Sequence, residues 1–114
     1  MPTYLATLLF NTNHRNAMCD GYTSTDVMRA TELGTVAIDA AGPQSAAAQI
    51  FEMFNADDRP NGATERSMCV GDVVQITGQA DATAYNVYLA CEPTGWRLVF
   101  TVPTLQAKQS IPSW

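Results

Sequence analysis

The chain has 114 residues, of which 46% are hydrophobic and 15% charged, with a formal net charge of −5. That length suits one domain with one core and is too short for two, and the apolar fraction marks a globular chain rather than a disordered one. The acidic balance argues against phosphate-backbone binding, which draws its affinity from Lys and Arg. Lys108 is the only lysine, the arginines are scattered, and the acids are too dispersed for a polyanionic mimic of DNA.

The start, Met1-Pro2-Thr3-Tyr4-Leu5, has no basic segment followed by an apolar run, so no signal peptide is expected. No window approaches the roughly 18 apolar residues of a membrane span. Cys19, Cys69 and Cys91 are odd in number, far apart and accompanied by a single histidine, His14. That pattern predicts reduced thiols in a cytoplasmic protein, with no zinc site and no cofactor.

In chain order, Thr3 to Phe10 alternates and is rich in β-formers, which predicts a first strand with Tyr4, Leu5, Leu8 and Phe10 available for a core. Asn11 to Thr25 is polar, with Asn11, Asn13, Asn16, Asp20 and Gly21 as turn formers, and reads as a loop or wide connection. Asp26 to Asp39 carries two signals. Ser24 or Thr25 could cap a helix bearing Val27, Ala30 and Leu33, whereas Thr31, Thr35, Val36 and Ile38 are β-branched. The β-branched residues favour a strand over most of Met28 to Asp39, antiparallel to the first and broken at Gly34.

Gly42-Pro43 opens the clearest helix, because proline is preorganised for the first helical position. Ala46, Ala47, Ile50, Phe51 and Phe54 form one apolar stripe along it, and the run from Asn55 to Gly62 ends it. Three strands follow: Val73 to Thr77, Thr83 to Cys91 and Trp96 to Val102. The joints between them are turns at Gly78-Gln79-Ala80-Asp81 and Glu92-Pro93-Thr94-Gly95. Residues 1–104 then form a single α+β domain, an antiparallel β-β-α-β-β-β sheet of about five strands with one helix on one face. Residues 105–114 form a tail containing Ile111 and Trp114.

Phe51-Glu52-Met53-Phe54-Asn55, an acidic loop containing Pro60, and then Arg66-Ser67-Met68-Cys69-Val70-Gly71-Asp72-Val73-Val74 resemble a pattern in small uncharacterised bacterial proteins. These proteins, mostly actinobacterial or carried on plasmids and phages, bear an "RSLSVGDVV"-like signature related to YodL-type domains. The resemblance covers Ala46 to Leu98, including Gly95-Trp96, and departs from the pattern at Cys69, where a small hydroxyl residue is usual. It implies an accessory protein of a mobile element and assigns no chemistry.

The candidate sites each have a plainer structural account. Gly71 permits a tight turn, and the Asp72 carboxylate can accept backbone N–H bonds there, as can Ser67, while Val70, Val73 and Ile76 enter the core. If this joint binds anything, Arg66, Ser67, Cys69 and Asp72 form its polar rim. Cys69 and Cys91 are the candidate nucleophiles and His14 the only candidate base, yet buried apolar thiols and an exposed imidazole are the ordinary account of such residues and are the reading favoured here. Asp57 and Asp58, with Glu52 or Asp72, are too solvated for acid–base work but offer an acidic contact surface to an Arg-rich partner. Tyr85, Tyr88, Trp96 and Arg97 could stack bases on a sheet face, although Tyr85 and Tyr88 point to opposite faces.

The expected function is therefore non-enzymatic protein binding. An exposed edge strand, Met18, Met28, Met53, Met68 and the aromatic tail would supply the surface. A host defence protein, or a second copy through an edge strand, would be the partner, with weak nucleic-acid binding as the alternative. The tentative binding residues are Asp57, Asp58, Arg66, Ser67, Asp72, Trp96 and Arg97, with no catalytic or metal-binding residue.

Overall fold

A computed structural model describes residues 1–62, 64–80 and 83–106. The strands are β1 (Thr3–Asn11), β2 (Val27–Asp39), β3 (Val73–Ala80), β4 (Thr83–Glu92), β5 (Gly95–Val99) and β6 (Thr104–Leu105). The helices are α1 (His14–Asp20) and α2 (Pro43–Asn55). The strands form one sheet in the order β5-β4-β3-β1-β2-β6, antiparallel except that β6 runs parallel to β2. The α+β fold is as the sequence predicts, but with six strands in a mixed sheet and a second helix. The first strand in the chain lies inside the sheet, between β2 and β3.

Alternation decides which side chains go where. Tyr4, Ala6, Leu8 and Phe10 of β1 and Val74 and Ile76 of β3 meet Ala46, Ala47, Ile50 and Phe54 of α2. A second cluster on the opposite sheet face gathers Leu9, Tyr22, Met28, Val73, Ala90 and Val99. Each fully buried large side chain of this kind contributes roughly 1.5–3 kcal/mol. Both faces therefore carry core, and α2 covers only one of them.

The sheet has to curl. β5 ends at Val99 and β6, on the opposite edge, begins at Thr104. Chain from residue 99 to residue 104 reaches at most about 17 Å, whereas six flat strands would separate the edges by about 24 Å.

Four local differences from the sequence reading have physical causes. Asn11 to Thr25 contains α1, a single short helix that buries only Ala17 and so carries no apolar stripe to read. β2 passes Gly34 without ending, but its register slips: Thr7 pairs with Thr35 and Leu9 with Ala30, so residues 31–34 bulge out. β3 runs on through Gly78, which faces Tyr85 rather than making a turn. A Cβ at Gly78 would come within 2.6 Å of the Tyr85 ring, so this glycine serves close approach inside a strand. Leu105, placed at the start of a tail, pairs with Met28 in β6; residues 107–114, with Ile111 and Trp114, lie outside the described residues.

Candidate functional site

The Gly-Asp joint forms the turn leading into β3. Gly71 has φ +94°, a conformation that glycine alone adopts freely, and a Cβ there would lie 2.4 Å from Cβ of Ala17. Its N–H donates to the Cys91 carbonyl, and the Cys91 N–H donates back to the Asp72 carbonyl, which zips the elbow onto β4.

Asp72 is fully buried, at 0% exposure. One carboxylate oxygen accepts the Asn11 N–H and the other the Cys69 N–H, each at 2.8 Å. Both oxygens also accept from Arg66, through Nη1 and Nη2 at 2.8 Å, in the two-pronged geometry that makes arginine–carboxylate pairs strong. The Arg66 guanidinium in turn lies 4.7 Å from the centre of the Phe10 ring. Every strong acceptor position of Asp72 is thereby occupied by the protein itself.

His14 lies beside this pair. Burial lowers its pKa, the Arg66 charge lowers it further, and Asp72 opposes both. Among the described residues no hydrogen bond joins His14 to Asp72 or to Cys69, and the Cys69 thiol faces the Ser67 carbonyl at 3.7 Å. A nucleophilic dyad would need the imidazole within hydrogen-bond reach of the thiol. The arrangement ties a turn down, and it leaves the buried Nδ1 of His14 without a partner among the described residues.

A second buried carboxylate, Glu65, does the same for the β2 bulge. It accepts from the Thr31 hydroxyl at 2.5 Å, Arg29 Nη1 at 2.7 Å and Asn61 Nδ2 at 3.0 Å, and from the Glu32 N–H at 3.3 Å that the bulge leaves free. Burial pushes the Glu65 carboxyl upward, but these hydrogen bonds outweigh it and hold the pKa below the usual range. Asp26 behaves alike: burial opposes, and bonds from Asn11, Thr23 and Asn13 prevail. The local bonds, from the Cys69 N–H to Asp72 and the Thr23 N–H to Asp26, are of the kind a turn sequence suggests, whereas the bonds from Asn11, Thr31 and Arg29 join distant elements and leave no pattern in the sequence.

An open apolar feature lies elsewhere, between α2 and the β4–β5 hairpin. A cleft of about 250 Å³ is lined by Ala48, Phe51, Glu52, Cys91, Pro93 and Trp96, among others. The Phe51 and Trp96 rings meet edge to face with centroids 6.3 Å apart. Phe51 stands at the margin of the α2 stripe, 38% exposed, whereas Ile50 and Phe54 beside it are buried. Next along the same face of β5 comes Leu98, 44% exposed, and just past the strand stands Phe100, 89% exposed. Burial pushes the Cys91 thiol up to about 11, so at the cleft floor it behaves as a small apolar group.

The structure brings Arg66, Ser67 and Asp72 together and separates the rest. Ser67 contributes its carbonyl, which accepts from Arg66 Nη1 at 3.0 Å. Asp57 and Asp58 are exposed beyond the end of α2. Trp96 and Arg97 diverge: Trp96 lines the cleft, while Arg97, on the other face, pairs with Glu92 at 3.0 Å and donates to the Tyr22 carbonyl. Of the methionines offered as contact surface, Met28 and Met68 are core, Met53 is half-buried against the core, and Met18 is exposed. Phe51 reads from sequence as one more core residue, and only its offset from Ile50 around the helix hints at the cleft.

Among the described residues no group of three or more His, Cys, Asp or Glu is placed to hold a metal ion. No helix among them is long and apolar enough to cross a membrane. Searches against protein families, curated proteins and solved structures found nothing that this chain matches.

Proposed function

We propose that this chain works without catalysis, by binding another protein at the cleft between α2 and the β4–β5 hairpin. The observation that carries this reading is the set of large apolar side chains left in water: Phe51 beside Trp96 in the cleft, and Leu98 and Phe100 further along the chain from Trp96. A chain that encloses Phe10, Phe54, Leu8 and Leu9 almost completely has the means to bury such groups. Contiguous apolar surface that stays exposed marks an interaction site. The buried acids support the same reading, since Asp72, Glu65 and Asp26 are all engaged in holding turns. A host defence protein blocked in the cytoplasm by a plasmid or phage accessory factor would be one such partner, and that setting rests on the sequence resemblance alone.

The test compares wild type with Phe51→Asp and Leu98→Asp, both at exposed positions, in affinity capture from bacterial lysate with quantitative mass spectrometry. Proteins retained by the wild type and lost with both variants, at unchanged circular dichroism, would support the reading. Equal retention by all three would sink it. Binding of labelled DNA or RNA at low salt would favour the nucleic-acid alternative, which the split of Trp96 and Arg97 across the sheet does not favour.

A further inference from the structure

Building on that reading, we propose that the cleft and the outer edge of β5 together take an extended, positively charged peptide segment as an added strand. Among the described residues β5 ends the sheet order, so every second N–H and C=O of Gly95–Val99 faces away from the sheet. The usual protections of such an edge are charged side chains, proline, a very short strand or a covering element. Gly95-Trp96-Arg97-Leu98-Val99 is short but contains no proline, and its one charge, Arg97, is turned away from the cleft and held by Glu92. The opposite edge differs, because β6 covers the start of β2.

A strand laid along β5 would send alternate side chains to the face where Trp96 and Leu98 point. One of them would enter the cleft against Phe51 and Trp96, and its neighbour two residues on would cover Leu98. Main-chain bonds supply the affinity in this mode and the pocket supplies the selectivity.

Charge selects the occupant. The charged residues that line the cleft, Glu52 and Glu92, are both acidic. Glu52 lines the cleft and makes no ion pair among the described residues. Glu92, at the mouth, is already paired with Arg97 on the other face. The exposed faces of Phe51 and Trp96 also attract a cation. A second copy of this chain would bring another net −5 and another Glu52 to the same place, which disfavours self-association here.

The experiment selects a phage-displayed random dodecapeptide library on the immobilised full chain, then measures synthetic versions of the enriched peptides by fluorescence anisotropy. Enriched peptides should alternate Lys or Arg with apolar residues and lose binding to Phe51→Asp. Methylating alternate backbone nitrogens of a peptide should weaken it by about tenfold or more, one main-chain hydrogen bond's worth. Glu52→Gln should weaken binding severalfold and flatten its salt dependence.

Peptides that need Phe51 but are acidic, or tolerate backbone methylation, would overturn the strand-addition proposal and leave the cleft reading standing. If no selected peptide depends on Phe51, the cleft reading itself falls. A dimer in sedimentation that Leu98→Asp dissolves would put a second copy on this edge and overturn the cationic-peptide assignment.

Discussion

The Asp72 elbow and the Phe51–Trp96 cleft adjoin at a single residue. The backbone of Cys91 exchanges hydrogen bonds with Gly71 and Asp72, and its side chain lies in the cleft floor. On the elbow side, the Asp72 carboxylate is enclosed and both its oxygens are matched, while the buried Nδ1 of His14 alongside has no partner among the described residues. On the cleft side, the surface is apolar, open and underfilled. In sequence the impressions are reversed, since "RSMCVGDVV" looks like chemistry and "AAAQIFEMF" looks like core. Polar residue types announce reactivity only when their partners are missing, and apolar ones announce burial only when something covers them.

The sharpest way to break the contrast is to unmatch the elbow. Asp72→Ala strands the Arg66 charge and frees the N–H groups of Asn11 and Cys69, so it should cost about 3–5 kcal/mol in urea unfolding. A loss below about 1 kcal/mol would mean that the pair contributes nothing to the fold.

A glycine on each side gives the next measure. Gly71→Ala combines a left-handed backbone with a clash against Ala17 and should cost about 3 kcal/mol. Gly95→Ala has similar φ, +96°, but nothing within 4 Å of the added carbon, and should cost about 1–2 kcal/mol. Equal losses would remove the idea that the elbow is packed and the hairpin open.

Acid should act on the matched side alone. Glu65 and Asp26 have folded-state pKa values below their ordinary 4.5 and 3.8, so the unfolded chain takes up protons first as pH falls. Their stabilisation is fully present above those ordinary values and is lost as pH drops through the lowered ones. Urea midpoints should slip as pH falls below about 6.5, where the lowered His14 pKa begins to count, and decline further below about pH 5; Glu65→Gln with Asp26→Asn should flatten only the second decline. A second decline unchanged in the double variant would assign it to other groups.

The smallest effect belongs to the cleft. Phe51→Ala removes a partly exposed ring and one edge-to-face contact, so it should cost only about 1 kcal/mol in the same assay. A loss approaching that of Asp72→Ala would show that Phe51 is core after all.

Much of this architecture is legible in the chain. The alternation of Tyr4, Ala6, Leu8 and Phe10, the Pro43 start of α2 and the β-branched run to Ile38 all give the element that forms. α1 escapes because seven residues with one buried alanine have no period to detect. β6 escapes because two residues paired in parallel leave no pattern at all. Gly78 misleads, since a glycine that admits a tyrosine ring looks the same in sequence as one that turns the chain. The turn role of Asp72 follows from its neighbours, but its pairing with Arg66 and Asn11 needs the third dimension. The cleft needs it more, because it exists only where α2 stops short of β5.

The position of β1 has a consequence for how the molecule is made. The amino-terminal strand lies inside the sheet and waits for β3, which begins at Val73, to cover its second edge. A growing chain that has emerged only as far as α2 therefore holds a hydrophobic hairpin with one flank bare, and the same is true of a fragment cut in the loop before Thr64. Ribosomal pausing or proteolysis in that loop should release sticky intermediates rather than a smaller working domain.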